Sequence, residues 1–229
     1  MRALVVACLA GCGRVDFDPR ADVATPITIS IGQNPGDQGS VADSYIPECS
    51  PLFEYGGSTH IHVKDGTTCP ADGHVVGLVR FDLSTVPVTA HVTNATLRMW
   101  THGTTTLVAS HEFHRVLESW IEGASPDVGM AGPPNWTQRE PGIAWTGAGC
   151  GAGSCDPAVI GSFVTVAAPD TMLETPLATD VVQRWIDRTY ENDGLAIKAP
   201  GTAGMTASAL ETREGIAGEA PELVLSYSP

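Results

Sequence analysis

The sequence predicts an all-β sandwich with one short covering helix. Gly (25) and Pro (17) are plentiful and Lys and Gln scarce, a mix that suits short strands joined by turns. Strand-like segments recur along the chain with turn signals between them. Several alternate at period two: Leu97 and Met99 fall on one side and Arg98 and Trp100 on the other, and Val79 and Phe81 alternate with Arg80 and Asp82. That alternation is the pattern of sheets with one buried face.

In order, the expected strands are Ile27–Ile31, Val41–Ile46, His60–Lys64, Val75–Asp82, Ala95–Thr101, Leu107–Val116, Ser162–Val166, Leu195–Lys198, Thr206–Leu210 and Glu222–Tyr227. One segment has another period. Between Thr179 and Arg188 the apolar residues Val181, Val182, Trp185 and Ile186 fall at helical spacing, with Thr179 or Asp180 as the N-cap. This helix lays Trp185 on the core, and Asn192-Asp193-Gly194 turns into the next strand. From Glu122 to Gly161 the chain is rich in Gly and Pro and reads as a long excursion. Phe81, Trp100, Trp120 and Trp185 fit core slots.

At 229 residues and 42% hydrophobic, the chain is large enough to bury its own core as one unit. Its formal charge is −14, from 12 basic and 26 acidic residues. Polyphosphate backbones are bound by clustered Lys and Arg, and no basic stripe exists here, so nucleic acid is excluded as a partner. A strongly anionic polysaccharide is disfavoured unless a local basic patch or a bridging cation intervenes.

The first residues read as an address. Met1-Arg2 precedes an apolar run from Ala3 to Ala10, followed by Gly11 and Cys12. One positive charge, a short apolar stretch and small residues make a secretory signal, too short to span a bilayer. Leu9-Ala10-Gly11-Cys12 resembles the bacterial lipobox, in which the Cys becomes the lipidated first residue. The expected organisation is a lipoprotein-type signal over 1–11, a tether over 12–24 and one domain over 25–229. The only membrane contact is then a lipid anchor on Cys12, and the location is extracellular, at the surface of a bacterial envelope.

Beyond Cys8 and Cys12, four cysteines remain: Cys49, Cys69, Cys150 and Cys155. An even count in an exported chain suggests disulfides, and four cysteines allow three pairings. The local pairing, Cys49–Cys69 and Cys150–Cys155, is favoured because both segments are loop-like. The alternative is zinc, whose ligands come as two close pairs; Cys150 and Cys155 make one such pair, Cys49 and Cys69 do not.

An ordered set of segments resembles the DNRLRE domain, grouped with carbohydrate-binding module family 96. Ala42-Asp43-Ser44-Tyr45-Ile46 is like that family's opening ADAYI, and Val79-Arg80-Phe81-Asp82-Leu83-Ser84-Thr85-Val86-Pro87 like its RFDLSSIP. Ala95 to Trp100 resembles its ATLRLY strand. Arg115-Val116, Trp120 and Glu122 follow "V…W.E", and Asn135-Trp136-Thr137 its TWNN segment. Asp180 to Trp185 with Asp193-Gly194-Leu195, then Thr212-Arg213-Glu214 and Pro221 to Leu225, resemble the family's last motifs. The resemblance covers about residues 40 to 229. It implies a jelly-roll-like antiparallel sandwich and a non-catalytic module of exported proteins, some members binding polysaccharide such as alginate.

The remaining constellations point weakly to chemistry. His60-Ile61-His62 could present two imidazoles on one strand face to a metal, but it occupies a slot that the family fills with an ordinary strand. His111-Glu112-Phe113-His114 has its His pair at i and i+3 in strand-like sequence, whereas HExxH needs i and i+4 on a helix. No GxSxG elbow occurs. Trp136, Trp145, Tyr55 and Tyr190 lie in loop-like sequence and are the candidate sugar-stacking rings. Asp43 is the candidate ligand for a structural calcium ion, and no other cofactor is expected.

Three functional readings follow: a module that binds polysaccharide, a structural or protein-interaction module of the cell envelope, and, behind both, an envelope hydrolase with unidentified carboxylates. The address is testable by itself. Metabolic labelling with a palmitate analogue is expected to mark the wild type and to disappear in Cys12→Ala; label that persists in the variant would refute the lipobox.

Overall fold

A computed structural model of the chain describes residues 25–66, 69, 73–103, 108–166, 168, 170–200 and 206–229. The signal-like segment 1–11, Cys12 and the tether 12–24 lie outside the described residues. The described strands are β1 (Ile27–Ile31), β2 (Val41–Pro47), β3 (Phe53–Glu54), β4 (His60–Asp65), β5 (Val75–Phe81), β6 (His91–Trp100), β7 (Ser110–Val116), β8 (Met130–Ala131), β9 (Gln138–Glu140), β10 (Ile143–Ala144), β11 (Cys155–Val164), β12 (Met172–Pro176), β13 (Leu195–Lys198), β14 (Thr206–Glu211) and β15 (Glu222–Ser228). A single helix, α1 (Thr179–Ile186), stands between β12 and β13. The fold is all-β, as its composition predicts.

Two sheets face each other. One has the order β1-β15-β6-β12; the other runs β11-β7-β13-β5-β4-β14, with β2 also paired to β5. The strand pairs within them are antiparallel, and short ribbons join β3 to β8 and β9 to β10. The core between the sheets takes Leu97 and Met99 of β6 and Leu223 and Leu225 of β15 from one side. Val79 and Phe81 of β5, Phe113 of β7 and Leu195 and Ile197 of β13 come from the other. Alternation sends Ile46, Val76, Leu78, Val116 and Ala196 to the opposite face of the larger sheet. There they meet Trp120, Trp145 and the Cys150–Cys155 bridge. This sheet is therefore buried on both faces, where the alternation alone predicts one. The excursion after β7 covers its outer side, so that stretch is a second core layer.

Differences from the sequence reading have local causes. β11 begins at Cys155, seven residues before the expected start at Ser162. Its first half reads as loop because Pro157 interrupts it, and Pro157 falls where the register with β7 shifts. β12 was not predicted; it is an edge strand that ends on Pro176 and carries Glu174 and Thr175. The helix N-cap is Ala178, with no side-chain cap bond, in place of Thr179 or Asp180. Asp180 stands instead in the first turn, where its charge suits the helix dipole. α1 is pinned from its side: the Gln183 amide accepts from Val92 N (2.8 Å) and donates to Ala90 O (3.0 Å). Val182, Trp185 and Ile186 face the core.

Trp100 is not a core residue. It is half-buried and lies opposite the exposed Met172 on the outer side of β6, as its alternation with Met99 requires. Both disulfides take the local pairing, Cys49–Cys69 and Cys150–Cys155.

Trp120 is 1% exposed, and its indole donates to Asp193 O at 2.8 Å. Trp120→Ala is expected to cost about 3–5 kcal/mol in urea unfolding, and Trp100→Ala distinctly less. Equal losses would contradict the two-core arrangement.

Candidate functional site

The sequence contains two lysines, Lys64 and Lys198. Both line one shallow hollow of about 170 Å³, together with His74, Val75, Val76, Trp136, Gly149 and Ala199. β4 supplies Lys64, β5 the two valines and β13 Lys198. Trp136 arrives from the excursion. An Asx turn presents it: Asn135 Oδ1 accepts from Thr137 N (2.9 Å) and Gln138 N (2.8 Å), and Asn135 Nδ2 donates to Gly132 O (2.7 Å). Gly149, at φ +63°, lies so close to the indole that a Cβ there would meet Trp136 at 2.3 Å. The Gly-rich loop closed by the Cys150–Cys155 disulfide is thus a support for the Trp136 ring, which stays half-buried with part of its surface in the hollow.

The basic side chains of the hollow are held in place. Lys198 Nζ donates to Cys150 O at 2.6 Å, and burial lowers its pKa. His74 Nδ1 meets Asp65 at 2.9 Å. An aromatic plate with two ammonium groups offers a stacking surface and donors for hydroxyl or carboxylate oxygens. Sequence reasoning singled out Trp136 and missed its basic partners. The available signal was that both lysines of a −14 chain sit in strand-like segments, which fold as β4 and β13 on either side of β5.

The other three expected rings are less available. Trp145 is 5% exposed and donates to Asn135 O at 2.9 Å; it packs the second core and offers no stacking face, which corrects that expectation. Tyr55 is half-buried and stacked on Tyr45, with ring centroids 4.3 Å apart. Tyr190 borders a larger hollow of about 380 Å³ with Trp185 and Arg188. The Arg115 guanidinium lies 3.8 Å from its centroid and that of Arg184 4.9 Å, so arginines already use the ring as a stacking surface.

Asp43 is 1% exposed and belongs to a cluster with Glu122 and Glu214 whose carboxylate oxygens lie within 4.8 Å of one another. Arg213 ties the group together. Its guanidinium meets Glu122 at 2.6 Å and Glu214 at 2.5 Å and donates to Val41 O, while its backbone N–H donates to Asp43 at 3.1 Å. Asp43 N in turn donates to Glu122 at 2.7 Å. Burial pushes the Glu122 carboxyl up to about 7, against the pull of the Asp43 amide and Arg213, and raises Asp43 well above the usual carboxylate range. By donor type the three carboxylates could hold calcium, but a guanidinium already spans two of them. The arrangement joins β2, the segment after β7 and the turn after β14, regions far apart in sequence.

Residues 37–124 match carbohydrate-binding module family 96. The match covers less than half of the chain. It contains Asp43, Glu122, Lys64 and His74, while Trp136, Lys198, Arg213 and Glu214 lie beyond it. No curated protein matches the chain. Family 96 is a class of binding modules, and the histidines of β7 suit that. His111 is fully buried, donates from Nδ1 to Ala109 O (3.1 Å), accepts at Nε2 from Ser208 Oγ (2.8 Å), and stacks on Phe163 at 4.7 Å. Burial lowers its pKa to about 4, so it is a neutral core residue. His114 is buried against Asp156 O at 3.0 Å. Among the described residues no helix is long and apolar enough to cross a membrane.

The Arg213 cluster gives a pH signature. The folded Glu122 keeps its proton up to about 7, whereas an unfolded Glu releases it near 4.5. Between these values the folded state binds more protons, so the wild type loses stability as pH rises. Urea midpoints of wild type and Glu122→Gln, compared from pH 4 to 8, are expected to shift against the wild type across that window. A constant difference would refute the raised pKa.

Proposed function

We propose that this chain is a non-catalytic, extracytoplasmic polysaccharide-binding protein, and that the hollow at Trp136 receives an anionic sugar residue. One observation carries this: in a chain of net charge −14, both lysines flank the half-buried Trp136. The family match supplies the ligand class. The indole face would stack on a pyranose ring, and the ammonium groups would meet its carboxylate. The overall acidity does not oppose this at short range, because fields from charges beyond a Debye length of about 8 Å are screened at physiological salt. Two disulfides support the extracytoplasmic assignment, since such bonds persist in oxidising compartments. Lipid anchoring through Cys12 belongs to the same proposal. The alternative, a structural or protein-interaction module of the envelope, would need no such hollow.

Affinity gel electrophoresis distinguishes them. Retardation is expected in gels containing a polyuronate and weaker in gels of neutral glucan or xylan. Trp136→Ala should abolish it and Lys64→Ala weaken it, and salt should reduce it. Wild-type protein that runs unretarded on every polymer would overturn the reading, as would retardation indifferent to Trp136.

A further inference from the structure

A second constellation lies on the exposed side of β4. Period-two geometry places His60 and His62 on one face, with Ile61 and Val63 packed into the core behind them. Their Nε2 atoms are 2.8 Å apart. The His102 ring, from just beyond β6, stacks on His60 with centroids 4.7 Å apart. Tyr45 sets its ring edge to face with His62 at 5.3 Å.

The far nitrogens of two of these rings have carboxylate neighbours. His60 Nδ1 has Thr59 Oγ1 at 3.3 Å and Asp127 at 3.8 Å. His102 Nδ1 meets Glu211 at 2.5 Å. Glu211 is fully buried directly across from His60 in the β4–β14 register. Metal-ligating histidines characteristically have such an orienting partner on the second nitrogen. Glu211 also forms a group with Asp170 and Glu219, their oxygens within 4.8 Å, so the surroundings attract cations.

We propose that His60 and His62 chelate a divalent transition-metal ion through their Nε2 atoms, copper(II) foremost. The spacing favours a tetragonal ion. With metal–imidazole bonds of about 2.0 Å, cis nitrogens of a square-planar centre stand about 2.8 Å apart, and those of a tetrahedral centre about 3.3 Å. Without metal, the two nitrogens are satisfied by sharing one proton, which the ion would displace. Calcium and magnesium prefer oxygen ligands and would not compete. This site is independent of the polysaccharide reading, because neither Trp136 nor Lys198 takes part.

Copper(II) added to the purified full chain, after treatment with EDTA, tests it. Electron paramagnetic resonance is expected to show one equivalent bound with nitrogen hyperfine structure, undisturbed by millimolar calcium. His62→Asn and His60→Asn should each lose that signal, and His74→Asn should keep it. Asp127→Asn should weaken binding by about 10- to 100-fold. His62 is solvent-exposed, so its variant is expected to fold, which circular dichroism verifies. Absence of a nitrogen-coupled copper signal in the wild type, or an unchanged signal in both histidine variants, would overturn the proposal.

Discussion

The double burial of β5 governs the architecture. Its alternate residues belong to two cores, Val79 and Phe81 inside the sandwich and Val76 and Leu78 beneath the excursion. A strand in that position cannot carry a polar face without a partner for it. Its one charged residue inside the strand, Arg80, donates to Trp120 O at 3.0 Å and stacks on the Trp120 ring at 4.9 Å. Gly77 answers a second demand: a Cβ there would meet Ile61 at 2.7 Å, so β4 can cross close over β5 only because the position has no side chain. The seat of β4, and of every functional group on it, depends on that approach.

Covering the outer face of this sheet decides what the excursion can do. Between β7 and β11 the chain has few apolar residues, and it commits Trp120 and Trp145 to the second core. Trp136 is the ring left at the border, held by the Asn135 turn and supported by Gly149. A loop that both seals a core and presents one indole needs a fixed shape. The five-residue separation of Cys150 and Cys155, with its surrounding backbone hydrogen bonds, restricts the loop accordingly.

Most of the sandwich was legible because burial on one side leaves a period-two trace, as in Leu97-Arg98-Met99-Trp100. The same rule, applied strictly, also places Trp100 outside; aromatic size suggested otherwise, and geometry prevailed. The second core was not legible. A sheet face covered by a Gly- and Pro-rich excursion leaves no periodic signal in the covering segment, only isolated tryptophans. The candidate site was half legible for a related reason. Trp136 has the loop-like setting of a ligand platform, but its partners Lys64 and Lys198 lie 134 residues apart in sequence, and only the pairing of β4 and β13 with β5 brings them together. Likewise Asp43, Glu122 and Arg213 are recognisable as separate motif residues, while their mutual contact is a property of the topology.

β4 carries residues of both constellations. His60, His62 and Lys64 recur at every second residue, so a single strand face carries two imidazoles at one end and an ammonium group at the other. Rigid backbone fixes their order: the histidines adjoin the buried Glu211 and the acidic group around it, and Lys64 adjoins Trp136 and Lys198. In a chain this acidic, positive potential must be assembled locally, and Lys64, beside Lys198, supplies it at one end of the strand. The two constellations are chemically separate yet share one strand, so the backbone of β4 fixes their distance from each other.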